Sequence, residues 1–231
     1  DAGIEQVLNS AQFINGPAVK SFQKNLESYL GVKNVIPCAN GTDALQIAMM
    51  GLGLKPGDEV ITADFTYAST VEVIALLGLT PVLVDVDPIT FNINPESIEK
   101  AITKKTKAIC LVSPNNPSGV EYPDAVLNAF YQLAKDHDLT LIIDETYKDF
   151  HSNPMRPHSL LDAPDWKQHL VQLYSFSKAY RMTGHRVGAI IANKALLAEV
   201  EKYLDTTTIC ASRVGQFAAR WGLNHLQPWL A

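Results

Sequence analysis

No stretch of this sequence is apolar for the roughly 18 residues that a membrane-spanning helix needs, and no basic segment followed by an apolar one opens it at DAGIEQ. A membrane span and a secretory leader are therefore not expected, and a soluble, cytoplasmic protein is. Cysteine is scarce: there are 3 in 231 residues, Cys38, Cys110 and Cys210, far apart and without a CxxC pair. That spacing excludes a disulfide framework, and all three are expected as reduced thiols buried in apolar surroundings. The 6 histidines include no HExxH and no closely paired His/Cys set, so no metal site is expected. Basic charge is also in short supply. Against 24 Asp and Glu stand 19 Lys and Arg, a net charge of -5, which argues against a nucleic-acid surface. No Pro/Gly/Ser-rich linker or charge run divides the chain, so one domain over residues 1–231 is expected.

What the chain does have is hydrophobic residues, 47% of the total, in short runs. NVIPC, EVITA, PVLVD, KAICLV, LTLIID, LVQLY and RVGAII read as seven strands, apolar on both faces. Helical patterns alternate with them. Val19, Phe22, Leu26 and Leu30 recur at helical spacing between Pro17 and Gly31, and further helices are predicted over 41–52, 68–78, 95–102, 123–137, 194–204 and 211–223. Doubly apolar strands separated by helices predict an α/β fold of three layers, α/β/α, around a mainly parallel seven-stranded sheet. Ligands of such sheets bind beyond the carboxyl ends of the strands. Five polar clusters follow strands there: CANGTDAL, ADFTYAST, VSPNNPSG, IIDETYKDF and YSFSKAYRMTGHR.

Each cluster has a plain reading and a chemical one. Gly41 and Thr42 open a helix, where free N–H groups can hold a phosphate or where Asn40 or Thr42 simply caps. Asp144 ends a strand, either capping a turn or presenting a carboxylate to a cation or a protonated ring nitrogen, with Tyr147 three residues on to donate its phenol. SPNNPSG is a turn-rich loop that could aim the Asn116 amide at a ligand oxygen. Lys178 stands out most. It follows a buried strand beside Ser175 and Ser177 and precedes Arg186 by eight positions, a setting in which partial desolvation next to a cation makes an amine nucleophilic. Arg186 could clamp a phosphate that Ser175 also contacts, or pair with a surface carboxylate. A lysine able to form a Schiff base, an aspartate for a ring nitrogen and several phosphate donors on one edge describe a pyridoxal 5'-phosphate pocket.

On these residues the chain resembles the fold-type I pyridoxal-phosphate enzymes of the aspartate aminotransferase superfamily, in two parts. Residues 13–109, including CANGTDALQIAMMGLGLKPGDEVITADFTYAST, resemble the nucleotide-sugar aminotransferases. From about Ser113 onward, SPNNPSG, DETYKDF and YSFSKAYRMTGHRVGAI resemble the class I/II amino-acid aminotransferases, and the glycine-rich segment that the sugar branch carries after its lysine is not there. The sequence thus reads as a mosaic with a junction near Cys110, expected as an engineered recombination, with a natural divergent protein as the alternative.

The resemblance implies Lys178 as the Schiff-base lysine, Asp144 on the pyridine nitrogen, and Tyr147 and Asn116 on the phenolic oxygen. It implies Gly41, Thr42, Ser175 and Arg186 on the phosphate, with Ser177 a weaker candidate, and Tyr67 as the aromatic stacked on the ring, Phe65 being its nearest rival. It also implies a small-molecule amino donor, an amino acid or amino sugar, and a homodimer. The small C-terminal domain of the family is expected to be missing, and activity to be weak for that reason. Arg181 and Arg213 are the remaining candidates for a substrate carboxylate. A scaffold without turnover, or a racemase, decarboxylase or lyase, is the alternative, since one electron sink serves all these reactions.

Overall fold

The computed structural model describes residues 5, 8–12, 14–151 and 157–230. Its elements in chain order are α1 (Pro17–Leu30), β1 (Val35–Cys38), α2 (Gly41–Gly51), β2 (Glu59–Ala63), α3 (Ala68–Leu76), β3 (Thr80–Val84), α4 (Pro95–Ala101), β4 (Thr106–Val112), α5 (Asp124–Asp136), β5 (Thr140–Asp144), α6 (Trp166–His169), β6 (Leu170–Ser175), β7 (Gly188–Ile191), α7 (Lys194–Thr206), α8 (Arg213–His225) and α9 (Gln227–Leu230). Local chemistry sets many of the boundaries. Pro17 fixes the first turn of α1 and Gly31 ends it, while Asn40, Asn94, Asn193 and Ser212 cap α2, α4, α7 and α8 through their side-chain oxygens.

The seven strands form one sheet in the order β1-β7-β6-β5-β4-β2-β3. Every pairing is parallel except those of β7, which runs against both β6 and β1. Because successive strand residues point to opposite faces, each central strand feeds two cores. Cys110, Ile142, Leu173 and Ile190 pack under α2, α3 and α7, with Ala44, Met49, Ile74 and Val200. Ile109, Leu111, Leu141 and Ile143 pack on the other face against Ile98 of α4 and Leu127 and Phe130 of α5. Beside them on that face, Tyr174, Ala189 and Ile191 meet Phe22 and Leu26 of α1 and Ala219 of α8. The result is the three-layer α/β/α sandwich expected. Phe22 and Phe130 are fully buried, and truncating either to Ala costs about 3–5 kcal/mol in cores of this kind.

Two expectations fail in detail. The β3 run is not apolar on two buried faces: it is an edge strand, and Leu83 is exposed. Cys38 and Cys110 are buried in strands, but Cys210 is only half-buried because it lies on the link between α7 and α8, outside the sheet.

Candidate functional site

Reversal of β7 decides where the site forms. β1, β2, β4, β5 and β6 all point the same way, so the loops after them share one edge, and the antiparallel β7 begins at that same edge. A cavity of about 260 Å³ opens there, lined by Gly41, Thr42, Tyr67, Asn116, Asp144, Tyr147, Ser175, Ser177, Lys178 and Arg186, and also by Thr146 and Thr183. All nine residues singled out as catalytic or cofactor-binding from the sequence therefore meet in one place. Tyr67 lines it and Phe65 does not; Phe65 packs on Phe91 instead, with ring centroids 5.5 Å apart.

One end of the cavity is built for an anion. Asn40 accepts the Asp43 N–H at 3.0 Å, and the first backbone bond of α2 runs from the Ala44 N–H to the Asn40 carbonyl. That cap leaves the N–H groups of Gly41 and Thr42 without intrahelical acceptors at the positive end of the helix dipole. The capping and phosphate readings of Asn40, Gly41 and Thr42 are thus compatible. Ser175, buried at the end of β6, accepts the Ser177 N–H at 3.2 Å. Close approach depends on two glycines. A Cβ on Gly188 would sit 2.6 Å from the Asn40 carbonyl carbon, and one on Gly41 would lie 3.1 Å from Thr146 Oγ1 and 3.3 Å from Ser175 Cβ. Arg186 completes this end from an unusual backbone, φ 52°, its Nη1 donating to the Thr183 carbonyl at 3.1 Å. A left-handed conformation costs a non-glycine residue about 1–2 kcal/mol.

The floor is Asp144, half-buried, whose Oδ1 accepts the Thr146 N–H at 2.9 Å and the Thr146 hydroxyl at 2.7 Å. Both bonds fall on one oxygen, so the turn-capping reading holds while the other oxygen is left for a donor in the cavity. Burial pushes the Asp144 carboxyl above its ordinary pKa, the neighbouring Glu145 adds to the rise, and the two Thr146 bonds oppose it. On the far wall Asn116 Nδ2 donates to the Tyr147 phenol at 3.3 Å, and Lys178 Nζ lies 5.9 Å from the centroid of the Tyr147 ring.

Three expectations are corrected here. Lys178 is exposed rather than desolvated, because the chain leaves β6 into the open cavity and the protein does not close over the amine. Arg181 and Arg213 do not line the cavity. Arg181 lies over the Trp229 ring at 5.3 Å, and Arg213 donates to the Gln12 carbonyl.

Sequence reading missed a second polar layer on the far side of the sheet edge. Glu145 is buried, with Oε1 2.9 Å from His158 Nε2 and its other oxygen taking the Gln172 amide. The Leu160 N–H donates to His158 Nδ1 at 3.3 Å, which places the ring proton on Nε2, toward Glu145. Burial alone would lower the pKa of His158, but the Glu145 carboxylate, with Asp124 adding to it, raises it on balance. Lys148 Nζ lies 3.8 Å from Asp149 Oδ1 and 4.7 Å from the Tyr29 ring centroid. Burial lowers its pKa, with Asp149 and Glu145 opposing. Asp149 in turn accepts the Tyr29 and Tyr174 phenols. Glu145 alone was visible beforehand, as the neighbour of Asp144; its partners stand 13 and 27 positions away without local pattern.

A family model described as DegT/DnrJ/EryC1/StrS aminotransferase matches residues 1–147. Over 113 residues, 49% of this chain and 32% of the relative, the sequence is 56% identical to UDP-2-acetamido-2-deoxy-3-oxo-D-glucuronate aminotransferase of Pseudomonas aeruginosa. Over 191 residues, 81% of this chain and 47% of the relative, it is 33% identical to aspartate aminotransferase of Sulfolobus acidocaldarius. The fold matches aspartate aminotransferase from Thermus thermophilus with maleate at a TM-score of 0.84 and 27% identity, covering 98% of this chain and 62% of that one. The chain thus spans about a third to a half of the length of these two curated relatives.

Proposed function

Because the chain belongs to the DegT/DnrJ/EryC1/StrS aminotransferase family, which depends on pyridoxal 5'-phosphate, we propose that the cavity at the sheet edge is a pyridoxal-phosphate cradle with Lys178 as its Schiff-base lysine. The observation that carries this reading is the donor set lining one cavity: an open helix N-terminus with Ser175, Ser177 and Arg186 for a phosphate, Asp144 for a ring nitrogen, Asn116 and Tyr147 for a phenolic oxygen, and a primary amine. Gly41 gives the phosphate end its room, since a Cβ there would press on Thr146 and Ser175.

When bound, pyridoxal phosphate supplies an aldehyde that condenses with primary amines and a ring that accepts electrons from the adjacent carbon. The residues supply everything else. Lys178 Nζ would hold the cofactor through its primary amine and, when free, would be the group in the cavity able to take up and return a proton beside the substrate. Asp144 would face the ring nitrogen and favour its protonated form. The burial that raises its own pKa also strengthens its attraction to a cation held against it. The Tyr147 phenol, oriented by Asn116, donates toward the phenolic oxygen, and Tyr67 at the mouth offers a ring face.

The substrate is an amino acid or amino sugar, and turnover by these 231 residues is weak, because Arg186 is the one arginine lining the cavity among the described residues and it belongs to the phosphate end. The chain is a single domain and a mosaic of sugar-type and amino-acid-type sequence meeting in β4, near Cys110, and it assembles as a homodimer. Favouring the mosaic are the 56% identity to a sugar aminotransferase over about half the chain and the likeness of the whole to amino-acid aminotransferases.

The test is the visible absorption of the protein with added pyridoxal phosphate beside Lys178→Ala, followed by borohydride reduction and peptide mass analysis. A visible band in the parent alone, with the cofactor mass on the Lys178 peptide, is expected. Equal labelling of surface lysines would refute the assignment.

A further inference from the structure

We infer that Asn115 is a positioning residue: its buried side chain ties the loop carrying Tyr67 to the loop carrying Asn116, and so sets the two walls of the cavity relative to each other. Asn115 itself does not line the cavity. It is 6% exposed, and its amide is used on both sides. Nδ2 donates to the Phe65 carbonyl at 3.0 Å and to Ser118 Oγ at 2.9 Å, while Oδ1 accepts the Thr66 hydroxyl at 2.9 Å. Two of those three bonds cross 49 and 50 positions of sequence to the loop after β2. Its backbone fixes the third corner, with the Asn115 N–H bonded to the Val120 carbonyl at 2.9 Å and the Gly119 N–H to the Asn115 carbonyl at 2.7 Å.

The placement gives the bonds their meaning. Tyr67 follows Thr66 directly and is exposed, and Asn116 follows Asn115 directly. Parallel neighbours β2 and β4 end side by side, but strand pairing stops at Ile61 and Ile109, several residues short of either side chain. Beyond that point an amide of this length, with two donors and one acceptor all engaged, sets the spacing of the loops. An apolar side chain in its place would leave a buried carbonyl and hydroxyl unpaired, and the loops would part to reach water.

The inference rests on the cofactor reading, and its test separates the two. Asn115→Leu keeps the branching at Cγ, with somewhat greater bulk, and removes all three bonds. In the cofactor-free protein, amide hydrogen exchange over residues 65–69 is expected to accelerate while α5 stays protected. Pyridoxal-phosphate affinity, from titration of the visible band, is expected to fall about tenfold. The deciding measurement is a double-mutant cycle with Tyr67→Ala. If Asn115 acts through Tyr67, the loss caused by Tyr67→Ala shrinks in the Asn115→Leu background. Fully additive losses, or unchanged affinity and exchange, would overturn the inference. Should Asn115→Leu not fold, Thr66→Val removes the Oδ1 bond alone and carries the same cycle with a smaller effect. A parent chain without a visible band would refute the cofactor reading, while the exchange comparison in the cofactor-free protein would still decide whether Asn115 holds the loop.

Discussion

Asp144 and Glu145 are adjacent carboxylates at the end of one strand, yet they live in different worlds. Alternation along the strand turns them to opposite sides. Asp144 is half-buried on the cavity, with hydrogen bonds on one oxygen only, both from its own turn. Glu145 is sealed away with His158 on one oxygen and Gln172 on the other. Asp144 thus keeps an oxygen for a donor in the cavity, whereas both Glu145 oxygens are engaged within the fold.

The sharpest way to break the contrast is to delete each carboxylate and watch different properties fail. Glu145→Ala leaves His158 and Gln172 buried without their partner, and denaturant unfolding should show a loss of about 3–5 kcal/mol. Asp144→Asn should do the reverse. The carboxyl whose folded pKa is raised stabilises the fold below its ordinary range and costs stability as pH rises through the folded value, so at neutral pH the amide should melt no lower than the parent. The same variant, once loaded, should react with an amino acid about 100- to 1000-fold more slowly, read as depletion of the visible band.

A smaller effect lies in pH. With its pKa raised, His158 contributes stability that is fully present below the ordinary histidine value near 6.5 and is lost as pH climbs through the higher folded value. Melting temperature should therefore fall as pH rises above about 6.5 in the parent, and His158→Gln should flatten that slope. Smallest of all is Thr146→Val, which removes the hydroxyl bond to Asp144 and should cost about 1 kcal/mol of stability. A large activity loss with Thr146→Val would mean that Asp144 depends on its own turn more than its open oxygen implies.

Much of this was legible in the sequence because the signals are local. Each of the seven apolar runs became a strand within about two residues, and the five polar clusters after strands did gather on one edge, since parallel pairing leaves them no other place. What was hidden depends on long separations or on backbone geometry. RVGAII reads as a strand, but nothing in it says that β7 runs backwards. Asn115 looks like one of two equal asparagines in a turn until Phe65 and Thr66 are beside it. Exposure of Lys178 follows from the open edge beyond β6, which no run of residues encodes.

The reversed strand has one more consequence, for inheritance. Since β6 leaves the edge and β7 returns from it, Ser175, Ser177, Lys178 and Arg186 sit on one continuous stretch from the end of β6 to the start of β7, whereas Gly41, Tyr67, Asn116 and Asp144 come from the ends of four other strands. An exchange of sequence between relatives anywhere before β6 would pass on Ser175, Ser177, Lys178 and Arg186 together, as one segment. The walls carrying Gly41, Tyr67, Asn116 and Asp144 lie outside that segment, so each would be exchanged separately from Lys178.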